Sequence, residues 1–324
     1  MNDQGSKNSL YGLLNFTSRL PLQLLRGFAR GLAAFINVFG ISKTSNHIRL
    51  NLKICLPELS EQERERITRQ AIQNELISYF EFFNIWGSSN QKNIARIQHI
   101  SGEQLIHDAL AAQKGLVLIV PHFGTWEIMN AYIAQFTSMT IMYKPVKDES
   151  ADRFVREARS RENAHLVPTD ESGVRQIFKA LKQGGTTVIL PDHTPHVGGE
   201  YIPYFGVPLA TSNLSAKLIQ KTKAKVLFLY AKRNQTQGFD MFVEPIDEQI
   251  YTCDANQGTH IILNALETLI HRYPEHYHWS YKRFKANPEI GNIYDISPDE
   301  ALQRINTLRE KAKNQANLES SSYD

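Results

Sequence analysis

Cysteine is almost absent from this chain of 324 residues: there are two, Cys55 and Cys253, far apart and in no redox or metal spacing. A disulfide framework and a cysteine zinc site are therefore not expected, and both residues read as packing positions in a reducing compartment. The sequence also lacks a phosphate loop ending in Gly-Lys-Ser/Thr and a dinucleotide glycine fingerprint, so no nucleotide cofactor is expected. His193 and His196 stand at a metal-like spacing, and His276 and His278 lie close together, but neither pair has an evident third ligand and no metal is expected. A folded basic patch with interleaved aromatics is missing as well, which argues against nucleic acid as a partner.

Acidic residues are absent between Asp3 and Glu58, while residues 1–55 hold seven Lys or Arg. That stretch carries +6 in a chain whose net charge is +3, and a basic end on such a body suggests contact with an anionic surface. Long apolar runs are missing too. The longest uncharged run in the N-terminal region, residues 31–42, is far short of the ~20 residues that span a bilayer. Periodicity predicts something else. Leu24, Leu25, Phe28, Leu32, Phe35, Ile36 and Phe39 recur at three- and four-residue steps, with Arg26, Arg30, Ala33 and Asn37 opposite them. This is the pattern of an amphipathic helix lying in a membrane interface, and Pro21 suits its start. The arginines and the late start of the apolar stretch argue against a cleaved signal peptide. We expect a membrane-associating segment at 1–45, a folded α/β body at 46–296 on the cytoplasmic side, and a charged helix with a loose tail at 297–324.

Within the body, Ser60 and Glu63 form a capping-box pattern that opens a helix running to about residue 86. It ends in the aromatic cluster Tyr79, Phe80, Phe82, Phe83 and Trp86, which suits a core or the wall of an acyl-chain groove. Short apolar runs then predict strands at 116–120, 140–143, 187–190, 226–230 and 241–243. Helical stretches separate them at 127–135, 152–161, 174–183, 213–222 and 260–273. Such alternation predicts an α/β fold, a mixed sheet covered by helices.

The chemistry concentrates in the string HFGTWE, residues 122–127. Pro121 stops the first central strand and His122 follows at its carboxyl end, the edge where open α/β sheets hold ligands. Positions five apart on one helix point roughly 140° away from each other. His122 and Glu127 can therefore meet only with His122 in a turn and Glu127 in the first turn of a helix. Gly124 permits that turn and Thr125 can cap the helix, whose free N–H groups could hold an anion. A neutral imidazole oriented by a carboxylate is a general base. With no serine or cysteine in a nucleophile-elbow setting, the attacking hydroxyl belongs to the substrate.

HFGTWE resembles the H-x4-D/E motif of the glycerolipid acyltransferases, whose fold is glycerol-3-phosphate acyltransferase-like. HIRLNLKICLPELSEQE (47–63), LPDHTPHVGGEYIPYFGVPLAT (190–211) and WSYKRFKANPE (279–289) are similar, in order, to segments of the bacterial late lipid A acyltransferases, the lauroyl and myristoyl transferases. Tyr281 departs from that pattern, standing where relatives often have histidine. The resemblance implies an enzyme at the cytoplasmic face of the inner membrane. It would move an acyl chain from acyl carrier protein to a hydroxyl of a Kdo-linked lipid A precursor. It implies His122 as the base, Glu127 as its partner, and a functional arginine in REARSR, with Arg159 the expected match and Arg156 and Arg161 as alternatives. Asp192 and Arg283 are expected to bind substrate, and Lys217, Lys221, Lys223 and Lys225 are candidates for docking the acidic carrier. Other readings are a transferase using acyl-CoA on a different glycolipid, such as a mannosylated phosphoinositide, and a non-enzymatic peripheral lipid-binding protein.

Overall fold

The computed structural model describes residues 2–40, 42–195 and 198–321, so His196 lies outside the described residues. The strands are β1 (Ile97–Ser101), β2 (Leu116–Ile119), β3 (Met139–Met142), β4 (Ala164–Val167), β5 (Thr186–Ile189), β6 (Glu200–Tyr204), β7 (Val207–Thr211), β8 (Lys225–Arg233) and β9 (Phe239–Pro245). The helices are α1 (Asn2–Ser18), α2 (Leu22–Phe39), α3 (Lys43–Cys55), α4 (Glu61–Trp86), α5 (Asn90–Ile94), α6 (Glu103–Ala111), α7 (Ile128–Ile133), α8 (Glu149–Arg161), α9 (Glu171–Lys182), α10 (Leu214–Thr222), α11 (Ala255–Arg272) and α12 (Pro298–Ser321). The expected boundary at 45/46 falls inside α3, and the one at 296/297 falls just before α12.

Seven strands form one sheet in the order β1-β9-β8-β2-β5-β3-β4. All neighbours run parallel except β8 and β9, so the sheet is mixed, as the alternating pattern predicts. Its centre is the uncharged run LVLI of β2, wholly buried, as a strand covered on both faces must be. β6 and β7 form a separate antiparallel hairpin. At its tip, Phe205 and Gly206 both adopt positive φ, the conformation that two-residue hairpin turns need to match strand twist. The capping box at Ser60 is formed: the Ser60 N–H donates to Glu63 Oε2 at 2.8 Å, and the Glu63 N–H donates to Ser60 Oγ at 3.2 Å.

The N-terminal helices require a correction. α2 is amphipathic, but its arginines do not share one solvated face. Leu25, Arg26, Ala29 and Ala33 are buried, whereas Leu24, Phe28, Phe35, Val38 and Phe39 are exposed. Leu13 and Phe16 of α1 are exposed as well. The small residues of α2 allow close packing, and Arg26 is drawn inward by a buried carboxylate. Its Nε donates to Glu81 Oε1 at 2.6 Å and its Nη1 to the Gln237 carbonyl at 2.6 Å. Arg30 remains exposed. No single helix among the described residues is long and apolar enough to cross a membrane, and α2 and α3 meet at a bend of 81°.

Glu81 is a hub. Its Oε2 accepts from Arg233 Nη1 at 2.8 Å and from Thr125 Oγ1 at 2.5 Å, so one carboxylate joins α2, α4, the end of β8 and the turn after β2. Removing one partner of a buried charge cluster strands the others without compensation, at a cost of about 3–5 kcal/mol. Glu81→Ala should therefore lower the urea midpoint substantially, and Arg26→Met, which leaves Glu81 paired with Arg233, should lower it less. Equal midpoints for wild type and Glu81→Ala would refute this role.

Candidate active site

Strand register brings the first two site residues together. β2 and β5 are adjacent and parallel, with Ile119 opposite Ile189, and the Val120 N–H extends the pairing by donating to the Ile189 carbonyl at 3.0 Å. Three residues beyond Ile119 is His122, and three beyond Ile189 is Asp192. The His122 backbone N–H donates to Asp192 Oδ2 at 3.1 Å, and His122 Nδ1 lies 2.8 Å from Oδ1. Burial pushes the Asp192 carboxyl up, but the charge and hydrogen bond of His122 outweigh this and hold it below the ordinary carboxylate range. An ionised carboxylate only accepts. Nδ1 therefore carries a proton, and in the neutral imidazole Nε2 is the nitrogen with the lone pair.

His122 lines a cavity of about 340 Å³ together with Tyr79, Trp126, His193, His278, Ser280, Tyr281, Lys282 and Lys285. The His193 ring lies flat on His122, with centroids 3.7 Å apart and planes 3° from parallel, and Tyr281 covers its other side at 3.8 Å. Trp126 meets His122 edge-on at 4.9 Å. The segment after α11 clamps the turn. The His278 N–H donates to the His122 carbonyl at 3.1 Å, His278 Nε2 lies 3.0 Å from the Gly124 carbonyl, and the Gly124 N–H donates to the His276 carbonyl at 2.8 Å. Burial, then the charge of His122, lowers His278 to about 3, so it stays a neutral support. Gly124 is required: its φ is +54°, and a Cβ there would fall 2.2 Å from the Ala231 carbonyl oxygen.

The expected contact between His122 and Glu127 is not formed. Glu127 Oε2 accepts from Trp86 Nε1 at 3.0 Å and pairs with Arg159 Nη2 at 2.7 Å, and Asn130 Nδ2 donates to the same oxygen at 3.2 Å. Glu127 sits at the entrance of α7 and points toward α4 and α8, because a buried guanidinium lies there. The carboxylate on His122 is that of Asp192. Thr125 does not cap α7: its hydroxyl goes to Glu81, and the N-cap position is Glu127.

Of the three arginines of REARSR, Arg159 is the one that reaches the motif. It is held between Glu127 and Glu162, the latter at 2.9 Å. Burial raises Glu162 to about 7 despite the neighbouring guanidinium. Arg156 pairs with Asp152 on its own helix at 2.7 Å, and Arg161 donates to the Trp86 carbonyl. Arg283 is buried. It donates to the Ala210 carbonyl at 3.0 Å and to Thr211 Oγ1 at 2.5 Å, tying the β6–β7 hairpin to the segment behind the cavity. The lysine group lies elsewhere. Lys225 opens β8 opposite Leu116, at the amino edge of the sheet, whereas His122 lies past its carboxyl edge. The lysines at the cavity are Lys282 and Lys285.

In the sequence His193 and His278 stand out only as members of metal-like histidine pairs, and the structure places them against His122 instead. Glu81 and Arg233 have no sequence signal, because their roles depend on contacts distant along the chain.

Comparison with known proteins gives this geometry its family. Residues 10–286 match the model of the bacterial lipid A biosynthesis acyltransferases. The chain is 24% identical over 282 residues to a lipid A biosynthesis lauroyltransferase of Escherichia coli (strain K12), covering 86% of this chain and 90% of that protein. It is 24% identical over 280 residues to that organism's lipid A biosynthesis palmitoleoyltransferase, with the same coverage of 86% and 90%. It is 26% identical over 288 residues to a lipid A biosynthesis acyltransferase of Haemophilus influenzae (strain ATCC 51907 / DSM 11121 / KW20 / Rd), covering 85% of this chain and 89% of the relative. The match spans most of the sequence and includes the turn that carries His122 and the segment that carries Asp192, and on this ground the chain belongs to the bacterial lipid A biosynthesis acyltransferase family.

Proposed function

We propose that this acyltransferase moves a lauroyl- or myristoyl-type chain from acyl carrier protein to a hydroxyl of a Kdo-linked lipid A precursor, at the cytoplasmic face of the inner membrane. The observation that carries the chemistry is the 2.8 Å contact of His122 with buried Asp192 at the wall of the cavity. The acceptor hydroxyl gives its proton to His122 Nε2 as its oxygen attacks the thioester carbonyl. Asp192 keeps Nδ1 protonated and balances the imidazolium. As the tetrahedral intermediate collapses, the carbon–sulfur bond breaks, the proton passes from Nε2 to the departing thiolate, and His122 is neutral again. A positioned general base contributes ~10²–10⁴-fold.

In this reading, Glu127 and Arg159 act on the reaction through the turn. Their ion pair, with Trp86, fastens the start of α7 to α4 and α8 and so fixes the backbone that follows His122. Lys282 and Lys285 border the same cavity and suit an anionic group on the acceptor or the carrier. The exposed apolar face of α1 and α2 supports a membrane-surface position, because contiguous exposed apolar patches mark interaction sites. The names of the relatives support lipid A as the product class.

Three measurements test this. His122→Ala should reduce acyl transfer by at least ~10²-fold, and Asp192→Asn by ~10²–10⁴-fold, since an amide in place of the carboxylate no longer enforces the Nδ1–H tautomer. Either variant at the wild-type rate would sink the mechanism. A Phe28→Asp, Phe35→Asp double variant should bind phosphatidylglycerol vesicles at least ten-fold more weakly, as burying a phenyl ring contributes about 1.5–3 kcal/mol. Unchanged partitioning would rule out α2 as the contact surface. Transfer from acyl carrier protein should exceed transfer from acyl-CoA and fall as salt rises, with a preference for acyl-CoA pointing to a different donor.

A further inference from the structure

The contact to Asp192 secures only one corner of the catalytic ring. A single Nδ1···Oδ1 hydrogen bond leaves the imidazole free to swing about that contact, and the terminal torsion of histidine has broad wells. The second Asp192 oxygen is taken by the His122 backbone N–H, which steadies the carboxylate but not the ring. Trp126 touches the ring only edge-on, so a flat contact must set the plane of the imidazole, and therefore the direction of Nε2.

Three consecutive residues after β5 supply it. Asp192 takes Nδ1. His193 lays its ring against His122 at 3.7 Å, with planes 3° from parallel. The Thr194 N–H donates to Tyr281 Oη at 3.0 Å, which holds the Tyr281 ring against the outer face of His193 at 3.8 Å and 13°. Both faces of His193 are covered while its edge stays open to solvent. We propose that His193 is a positioning residue for His122: clamped flat by Tyr281, it fixes the imidazole plane so that Nε2 faces the cavity when the hydroxyl arrives. This rests on the acyl-transfer reading above.

The charges fit the task. Cover by its neighbours, and then the charge of His122, lower the pKa of His193, with Asp192 opposing and Arg283 and Lys285 adding to the effect. His193 is thus the neutral member of the stacked pair. When His122 takes the substrate proton, a cation rests on a neutral aromatic face, an attractive arrangement. The recognised feature is the face of the ring, so another flat aromatic side chain should serve.

The test uses the full-length protein. His193→Ala should lower kcat about ten- to a hundred-fold with KM within two-fold, the signature of a misaimed base. His193→Phe should recover most of that loss. Tyr281→Ala should lower kcat in the same direction but by less. A second readout does not need turnover: the downfield proton resonance of His122 Nδ1–H, assigned by its disappearance in His122→Gln. It should be sharp in the wild type and in His193→Phe, and broadened in His193→Ala. A His193→Ala enzyme with unchanged kcat and a sharp resonance overturns the proposal, as does a His193→Phe enzyme as impaired as His193→Ala. If the wild type transfers no acyl group yet its resonance depends on His193 as described, the reaction assignment fails and the positioning role stands.

Discussion

The hydrogen bond between His122 and Asp192 depends on the register of one parallel strand pair. Ile119 faces Ile189, and His122 and Asp192 each lie three positions further on. Side chains alternate in direction along a strand, so a slip of one residue would exchange the face of the sheet on which each side chain packs. Such a slip would take the buried Thr187 hydroxyl from the Thr140 carbonyl, to which it donates at 2.7 Å, and separate imidazole from carboxylate at once. The apolar burial of β2 and the geometry of the His122–Asp192 pair are therefore enforced by the same packing.

The turn after β2 is held from two further sides by buried charge. Glu81 gathers Arg26, Arg233 and Thr125 beneath it, and Glu127 gathers Arg159 and Trp86 beyond it. Isolated buried ions are costly, but paired and hydrogen-bonded ones tolerate little displacement, because each shift exposes several unmatched donors. In the motif H-x4-E the two named residues then have separate work. The histidine faces the cavity, while the glutamate locks the polypeptide that presents it.

How much of this was legible follows from the same physics. β2, β5 and most of β8 were readable as apolar runs because both faces of the sheet are covered there, and β3 and β9, half-buried, still carry short apolar stretches. β1 and β4 were not: they are the two edges of the sheet, partly exposed, and IQHIS and AHLV carry no continuous apolar pattern. The β6–β7 hairpin was hidden by Pro203 and Pro208, which argue against strands in a central sheet but are acceptable in an isolated two-stranded ribbon where they face each other. His122 could be picked out from its place after a strand. Its carboxylate could not be chosen from spacing, since Glu127 is five residues away and Asp192 is seventy. Only sheet order makes the distant one the neighbour, and strand order is not written in local periodicity.

Arg26 carries the same lesson to α2. Helical periodicity placed it on a polar face, which would make α2 a free amphipathic helix with lipid on one side and water on the other. Burial against Glu81 makes α2 an integral wall of the body, with its large apolar residues turned outward. Glu81 also bonds Thr125, three residues after His122, so a single carboxylate separates the exposed apolar face from the turn that carries His122. A helix attached in this way cannot swing as a loose anchor. Whatever surface receives Phe28 and Phe35 meets the cavity at a fixed height and angle, because Glu81 ties both to one framework.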